Sequence, residues 1–135
     1  MRIAAGLAAL AFAGPAAADW TPVAQDNGIF AAYADLSTLR VEGAVATMHG
    51  LYDFARGDLT PEGQPMYSTK VEREYDCRAR RVRLLAYEDH AGRLGEGAVV
   101  GASRVPRAWE AIVEGSLDAD FWKLACRGAL ALRGT

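Results

Sequence analysis

The residue types that could support redox or metal chemistry are two cysteines, Cys77 and Cys126, and two histidines, His49 and His90. Catalytic cysteine pairs usually lie close together as CxxC, whereas these two are far apart in the chain. Neither histidine has companions at the spacing of metal ligands. The sequence therefore predicts no metal site and no cofactor. In an exported chain, two cysteines favour a disulfide bridge over two buried free thiols.

Hydrolytic chemistry is the next alternative, because Ser68, the two histidines and several carboxylates supply the residue types. No nucleophile-elbow glycines and no HExxH helix organise them. The stretch from Gly92 to Gly97 resembles a phosphate-binding loop, but its glycine order does not fit GxGxxG and it reads as a turn. We therefore expect a protein that is not an enzyme and keep a hydrolase as the lesser alternative.

A run of basic side chains has two interpretations: a site for polyanions, or one half of a salt-bridged sheet face. The run is Arg78, Arg80, Arg81 and Arg83. Two segments rich in β-formers flank Arg78-Ala79, and a hairpin with a two-residue loop would place Asp76 opposite Arg81 and Glu74 opposite Arg83. We favour the salt-bridged interpretation, and the arginines stay candidates for an interaction surface together with Tyr75 and Trp122.

The same hairpin, formed by residues 67–77 and 80–88, predicts an apolar face. That face would hold Val71, Tyr75 and Cys77 against Val82, Leu84 and Ala86. A four-residue loop would keep these faces, and a three-residue loop would exchange them.

Other strands follow from alternation of apolar and polar residues. Residues 44–54 alternate well, with Ala46 and Met48 on one face and Thr47 and His49 on the other. We further predict strands at 29–34, 98–103 and 109–113, a brief helical turn at 35–38, and loops at 56–65 and 89–97.

A C-terminal helix is predicted after Gly115. Ser116 can cap its first turn, and Asp118 and Asp120 suit the positive end of the helix dipole. Apolar residues from Leu117 onward follow helical spacing, and Gly128 is the expected stop. A bridge from Cys77 to Cys126 would clamp this helix onto the apolar face of the sheet.

The first 18 residues have the pattern of a secretory signal peptide. Met1-Arg2 is basic, residues 3–13 are apolar, and small residues precede a cleavage point after Ala18. The apolar run is shorter than the ~20 residues that a membrane-spanning helix needs. Residues 19–135 would remain as one domain, without a cysteine at the cleavage point for a lipid anchor. The full chain has a net charge of −2, which argues against nucleic acid as a partner.

A series of short motifs runs along the chain. They are Trp20, Tyr33-Ala34-Asp35-Leu36, Tyr67-Ser68-Thr69-Lys70, Glu74-Tyr75-Asp76-Cys77 with Arg81, Gly95-Glu96-Gly97, Trp109, Gly115-Ser116 and Trp122 to Cys126. In this order they resemble the bacterial surface-adhesin protein E family. The resemblance spans nearly all of residues 19–135. It implies an α+β fold, a curved antiparallel sheet of five to six strands with a C-terminal helix tethered by the Cys77–Cys126 bridge.

The resemblance also implies an envelope or surface protein, in some members an adhesin that captures host extracellular proteins. No position matches the lysine- and arginine-rich binding segment of such adhesins. We expect an exported, non-enzymatic binding module of the periplasm or cell surface, whose partners are extracellular or envelope proteins. A small-ligand carrier, with a pocket between helix and sheet lined by Tyr75, Phe121 and Trp122, is the alternative.

Overall fold

Seven antiparallel strands form one sheet in a computed structural model, which describes the backbone of residues 19–134 and the side chains to residue 128. The predicted signal segment lies outside the described residues. Successive strands are neighbours in the order β1-β2-β3-β4-β5-β6, and β7 pairs with the free end of β5. The strands are β1 (Trp20–Ala24), β2 (Ala31–Glu42), β3 (Val45–Leu59), β4 (Pro65–Asp76), β5 (Arg81–His90), β6 (Val99–Ser103) and β7 (Glu110–Ala111).

A helix, α1 (Leu117–Gly134), follows the last strand. Ser116 caps it as predicted, because its Oγ accepts a hydrogen bond from the Ala119 N–H at 3.1 Å. Phe121, Trp122 and Ala125 of α1 are buried against β2, β3 and β4. We call the side of the sheet that packs on α1 the helix face, and the other side the open face.

The predicted disulfide joins Cys77, just after β4, to Cys126 in α1, with Cα atoms 5.5 Å apart. Both cysteines lie in the main core, together with Met48, Tyr75 and Val82 of the helix face. The α+β architecture and the tethered helix are therefore confirmed.

The β4–β5 hairpin has the predicted register, because Asp76 pairs with Arg81 and Glu74 with Arg83. Its loop has four residues rather than two, a length that keeps the same faces. The placement of Ala86 was wrong. A bulge at Leu85 shifts the register, so that Ala86 lies opposite Glu72 on the open face.

Residues 35–38 were predicted as a helical turn and are instead part of β2, at a bulge between Asp35 and Arg40. Side chains satisfy the backbone there. The Asp35 carboxylate accepts the Ser37 N–H at 3.0 Å, and Thr38 Oγ accepts the His49 N–H at 2.9 Å. Such local bonds are why a Ser-Thr segment can bend a strand without leaving it.

Three predicted boundaries also change. The predicted loop at 56–65 is only residues 60–64, because β3 and β4 resume pairing at Asp58 and Met66 beyond a bulge. β2 begins at Ala31 rather than residue 29. The helix continues past Gly128, which does not have the positive φ by which a glycine ends a helix.

Candidate functional site

Two members of the predicted arginine run, Arg81 and Arg83, lie on the open face and are paired with acids across the hairpin, as the salt-bridged interpretation requires. Arg81 Nη2 donates to Asp76 Oδ2 at 3.0 Å, and Arg83 Nε donates to Glu74 Oε1 at 2.7 Å. Arg80 takes a different partner, Glu114, at 2.8 Å. Since directly opposite residues of an antiparallel pair share a face, these ion pairs form a ladder across β4 and β5.

The hairpin loop is ordered by Asp76. Its Oδ1 accepts hydrogen bonds from the backbone N–H groups of Arg78 and Ala79 at 3.1 and 2.9 Å. The Ala79 N–H, followed by the Arg81 guanidinium, holds the pKa of the Asp76 carboxyl below its usual range. Arg80 completes the turn at a φ of 55°, which is unusual for a residue other than glycine.

Trp109 is a participant that the sequence did not indicate. The guanidinium carbons of Arg81 and Arg83 lie 4.9 and 4.8 Å from the centre of its ring. The ring is half-buried just before β7, whose pairing with the start of β5 brings it there. Because 26 or more residues of chain separate the ring from both arginines, only the strand pairing could have shown this contact.

Two of the candidate contact residues, Tyr75 and Trp122, lie beneath the surface rather than on it. Their exposed fractions are 1 % and 3 %. Trp122 Nε1 donates to the Asp76 carbonyl oxygen at 2.9 Å, and the Arg80 guanidinium covers its ring at 4.5 Å. Trp122 therefore supports Arg80 from below, Tyr75 is part of the core, and Arg78, Arg80 and Arg81 are the exposed members of the set.

The interface between helix and sheet is closely packed where the carrier alternative requires a pocket. Arg73 lies 5.2 Å from the ring centre of Tyr52 and 5.7 Å from that of Phe121, and its Nη1 is 3.4 Å from Asp118 Oδ1. Burial raises the pKa values of Tyr52 and Tyr75, and the charge of Arg73 opposes the rise. The three residues expected to line the carrier pocket, Tyr75, Phe121 and Trp122, are themselves buried in this interface.

Ser68 and His90 lie directly opposite each other on β4 and β5, but the hydrogen bonds of both side chains go to other groups. Ser68 Oγ donates to the Gly92 carbonyl at 2.6 Å and accepts the Gly95 N–H at 2.8 Å. The His90 ring contacts Glu88 Oε1 at 3.0 Å and the Gly97 carbonyl at 3.2 Å. Both side chains thus hold the 91–97 loop in place, and His49 is elsewhere on the open face.

Asp53 is the third anchor of the same loop. Its Oδ2 accepts two hydrogen bonds from Arg93, at 2.9 and 2.6 Å, and its Oδ1 accepts the Leu94 N–H at 2.8 Å. The carboxylate is almost completely buried, so its charge is matched by three donors. The glycine-rich stretch that resembles a phosphate loop is therefore a tight turn closed by its own side-chain anchors.

A cleft of about 250 Å³ opens on the open face. Its lining includes His49, Lys70, Glu72, Ala86 and Arg104. Glu72 lies 3.9 Å from Arg104 and also 3.9 Å from Arg40, which lies on β2 outside the lining of the cleft. Both distances exceed hydrogen-bond length, so the two arginines are only loosely held.

Within residues 19–134, no cluster of three or more histidine, cysteine or acidic residues has the geometry to hold a metal ion. In that same part of the chain, no helix combines the length and hydropathy needed to cross a bilayer. The open face, with its ion-pair ladder, its stacked tryptophan and its loosely paired cleft, is accordingly the candidate functional surface.

Comparison with known proteins agrees with the fold. The family model described as surface-adhesin protein E matches residues 20–127. A crystal form of Haemophilus influenzae protein E superimposes with a TM-score of 0.65 at 10 % identity, covering 81 % of this chain and 87 % of the other. Protein E from non-typeable Haemophilus influenzae gives 0.63 at 11 % identity, covering 83 % and 78 %. Comparison with curated protein sequences gives no significant match.

Proposed function

The chain belongs to the surface-adhesin protein E family, and from that membership we propose that it is an exported, non-enzymatic binding protein whose partners are extracellular or envelope proteins. The observation that carries the proposal is the family match, which covers nearly the whole described domain. A surface that binds proteins needs accessible, well-ordered side chains on a rigid support, and the open face of the sheet offers them.

Two further observations support a binding role over catalysis or ligand transport. The most suitable catalytic side chains, Ser68 and His90, are occupied in holding the 91–97 loop. The aromatic residues that would line a carrier pocket, Tyr75, Phe121 and Trp122, are buried in one core cluster. The open face keeps several charged groups accessible, among them Arg40, Arg81 and Arg104.

A binding assay on the processed, oxidised protein tests this function. Immobilised extracellular-matrix and envelope proteins would be probed by surface plasmon resonance, and we expect saturable binding to at least one of them. A heat-unfolded sample is the control, since binding that survives unfolding would come from nonspecific charge. The absence of saturable binding across the panel would contradict the proposal.

Export is tested separately. We propose that residues 1–18 direct secretion and are removed, so that Asp19 becomes the N-terminus. Mass spectrometry of the protein recovered from fractionated bacteria, with protease treatment of whole cells, would locate the mature chain. Replacing Ala18 with a bulky residue should block cleavage, because signal peptidase requires a small residue at that position. Recovery of an unprocessed cytoplasmic chain from the unmodified gene would refute this step.

A further inference from the structure

The ion pairs of the open face share an arrangement that composition does not reveal. Five pairs join an arginine to an acid on this face or in the loop covering it, and in each the arginine is the more exposed partner. Arginine side chains are 32–79 % exposed, whereas the acids are 2–25 % exposed. The pairs are Arg40–Glu72, Arg104–Glu72, Arg81–Asp76, Arg83–Glu74 and Arg93–Asp53.

The other side of the molecule has the reverse arrangement. In the pair of Arg73 with Asp118, the arginine is buried under α1 and the acid is the more exposed partner. Glu114 is likewise more exposed than Arg80 and Lys123, its two basic partners. Although the chain is acidic overall, the open face presents an outer layer of guanidinium groups. The accessible acids at its margins include Glu42, Glu88 and, in the 91–97 loop, Glu96.

A surface of this kind is complementary to a partner whose negative charges are spaced apart along its chain. Glu72 lies between Arg40 and Arg104, so a densely charged polymer would meet repulsion from this carboxylate. An extended protein segment with carboxylates at intervals can contact the arginines on either side and leave Glu72 uncovered. Guanidinium groups also match carboxylates in bidentate geometry. Among anionic partners, the observations therefore favour an acidic segment of a protein.

We propose that the open face is a docking surface for an acidic segment of a partner protein, with Arg40 and Arg104 exchanging their long contacts to Glu72 for close contacts to the partner's carboxylates. This inference rests on the proposed function and names the chemistry of the partner. Lys70, which also lines the cleft, adds a third positive charge. The ladder of Arg81 and Arg83 continues the same positive layer toward Trp109.

The test uses the processed protein and a synthetic peptide of alternating glutamate and serine, with a glutamine–serine peptide as the uncharged control. Binding is measured by fluorescence anisotropy at low and high salt. The double variant R40Q/R104Q should bind the acidic peptide about tenfold more weakly, a loss equivalent to two exposed ion pairs. The matched control K123Q/R127Q removes the same charge from α1 and should change binding less than about twofold.

A third variant tests the exchange itself. Glu72→Gln removes the acid that competes for both arginines, so binding should become tighter. Weaker binding by this variant would overturn the exchange. If the two double variants lost the same amount of affinity for the acidic peptide, net charge alone would explain the effect and the docking site would be overturned. Equal affinity for the glutamine–serine peptide and the acidic peptide would overturn it as well. Retention of heparin, a sulphated polysaccharide, without binding of the acidic peptide would also overturn it.

The failure of this inference can be distinguished from the failure of the proposed function. If extracellular proteins bind and R40Q/R104Q binds them equally well, only the docking surface is refuted. If no extracellular or envelope protein binds in the panel, the proposed function is refuted whatever the peptide does.

Discussion

Arg73 shows how one charged side chain can be built into an apolar interface. It comes from β4 on the helix face, where its guanidinium lies over the rings of Tyr52 and Phe121 and near Asp118. Burial of a charge is costly unless it finds compensating partners. Two aromatic faces and one carboxylate supply that compensation, and they join the first turn of α1 to the sheet.

Replacing Arg73 with methionine should lower the free energy of unfolding by about 1–3 kcal/mol, because a buried cation–π contact and an ionic contact are lost while volume is kept. The pKa of Tyr52 should rise further, since the positive charge that opposes the effect of burial would be gone. Urea unfolding and ultraviolet titration measure the two effects. Asp118→Asn is the control and should cost less, because Asp118 is partly exposed. An R73M protein as stable as the unmodified one would contradict this role.

Asp76 gives the β4–β5 loop a dependence on pH. Its pKa is lower in the folded protein than in the unfolded chain, so the charged carboxylate stabilises the fold. That contribution is fully present above the ordinary carboxyl pKa and is lost as the pH falls through the lower pKa of the folded state. Asp76→Asn should therefore be less stable than the unmodified protein at neutral pH, and the difference should shrink on acidification.

Thermal unfolding of both proteins across the acidic range measures this difference. Glu110→Gln, which removes an exposed acid from the neighbouring strand, serves as the matched control. If the difference in stability between D76N and the unmodified protein stayed constant down to the lowest pH, the charge of the carboxylate would be ruled out as its cause.

At the scale of elements, the 91–97 loop is the part of the open face that is fixed most firmly. Asp53 of β3 and Ser68 of β4 form hydrogen bonds to the loop from the sheet beneath it. His90, the last residue of β5 before the loop, contacts it through its ring. The added Cβ of an alanine at Gly92 would lie 2.8 Å from the Glu96 carbonyl oxygen, so the turn has no spare room. The glycines of this segment serve its close turn rather than a phosphate.

Asp53→Ala should release this loop and lower the free energy of unfolding by about 2–3 kcal/mol, because the N–H of Leu94 and the Arg93 guanidinium lose a buried acceptor. Hydrogen exchange should speed up at Leu94 and Gly95 before it does in the central strands. Arg93→Gln should have a smaller effect, since the Leu94 bond to Asp53 remains. Unchanged exchange at these two amides in the D53A protein would contradict the anchoring role.

The sequence predicted those elements whose cause is local. Alternation in residues 44–54, the charge match of Asp76 with Arg81, and the Ser116 cap all act over a few residues, and the structure has each of them. The bulges at residues 35–40 and at Leu85 depend on the register of neighbouring strands. For that reason, periodicity could not predict which face of the sheet each side chain beyond a bulge occupies.

The candidate surface was predictable only in part, for the same reason. The arginine run is visible as a run, but its stacking on Trp109 requires the pairing of β7 with β5. The cleft gathers residues from β3, β4, β5, β6 and the segment after β6, and Arg40 of β2 lies near its Glu72. The exposed fraction of each side chain decides whether the acid or the arginine of an ion pair can contact a partner. That fraction is set by the packing of the folded molecule and cannot be predicted from the sequence pattern.

At the scale of the whole molecule, the disulfide joins two parts, sheet and helix, that are held in place by different interactions. The sheet is held by ladders of backbone hydrogen bonds between neighbouring strands. The helix α1 is held by side-chain packing, by the Arg73–Asp118 contact, by the hydrogen bond from Trp122 Nε1 to the Asp76 carbonyl and by the bridge. The helix packs on the sheet through the side chains of Phe121, Trp122 and Ala125. These contacts are not backbone-to-backbone hydrogen bonds. The open face is built from the strands, so its geometry should depend little on the bridge.

Replacing both cysteines with serine should therefore loosen α1 before it affects the sheet. The bridge closes a loop across 49 positions, and its removal should cost about 4 kcal/mol on the loop-closure model. We expect the amides of α1 to exchange faster with solvent, while those of β3 and β4 keep their relative protection. The acidic peptide should still bind this variant, because Arg40 and Arg104 lie on the face away from the helix. Equal loss of protection in helix and sheet would show that the two unfold as one unit.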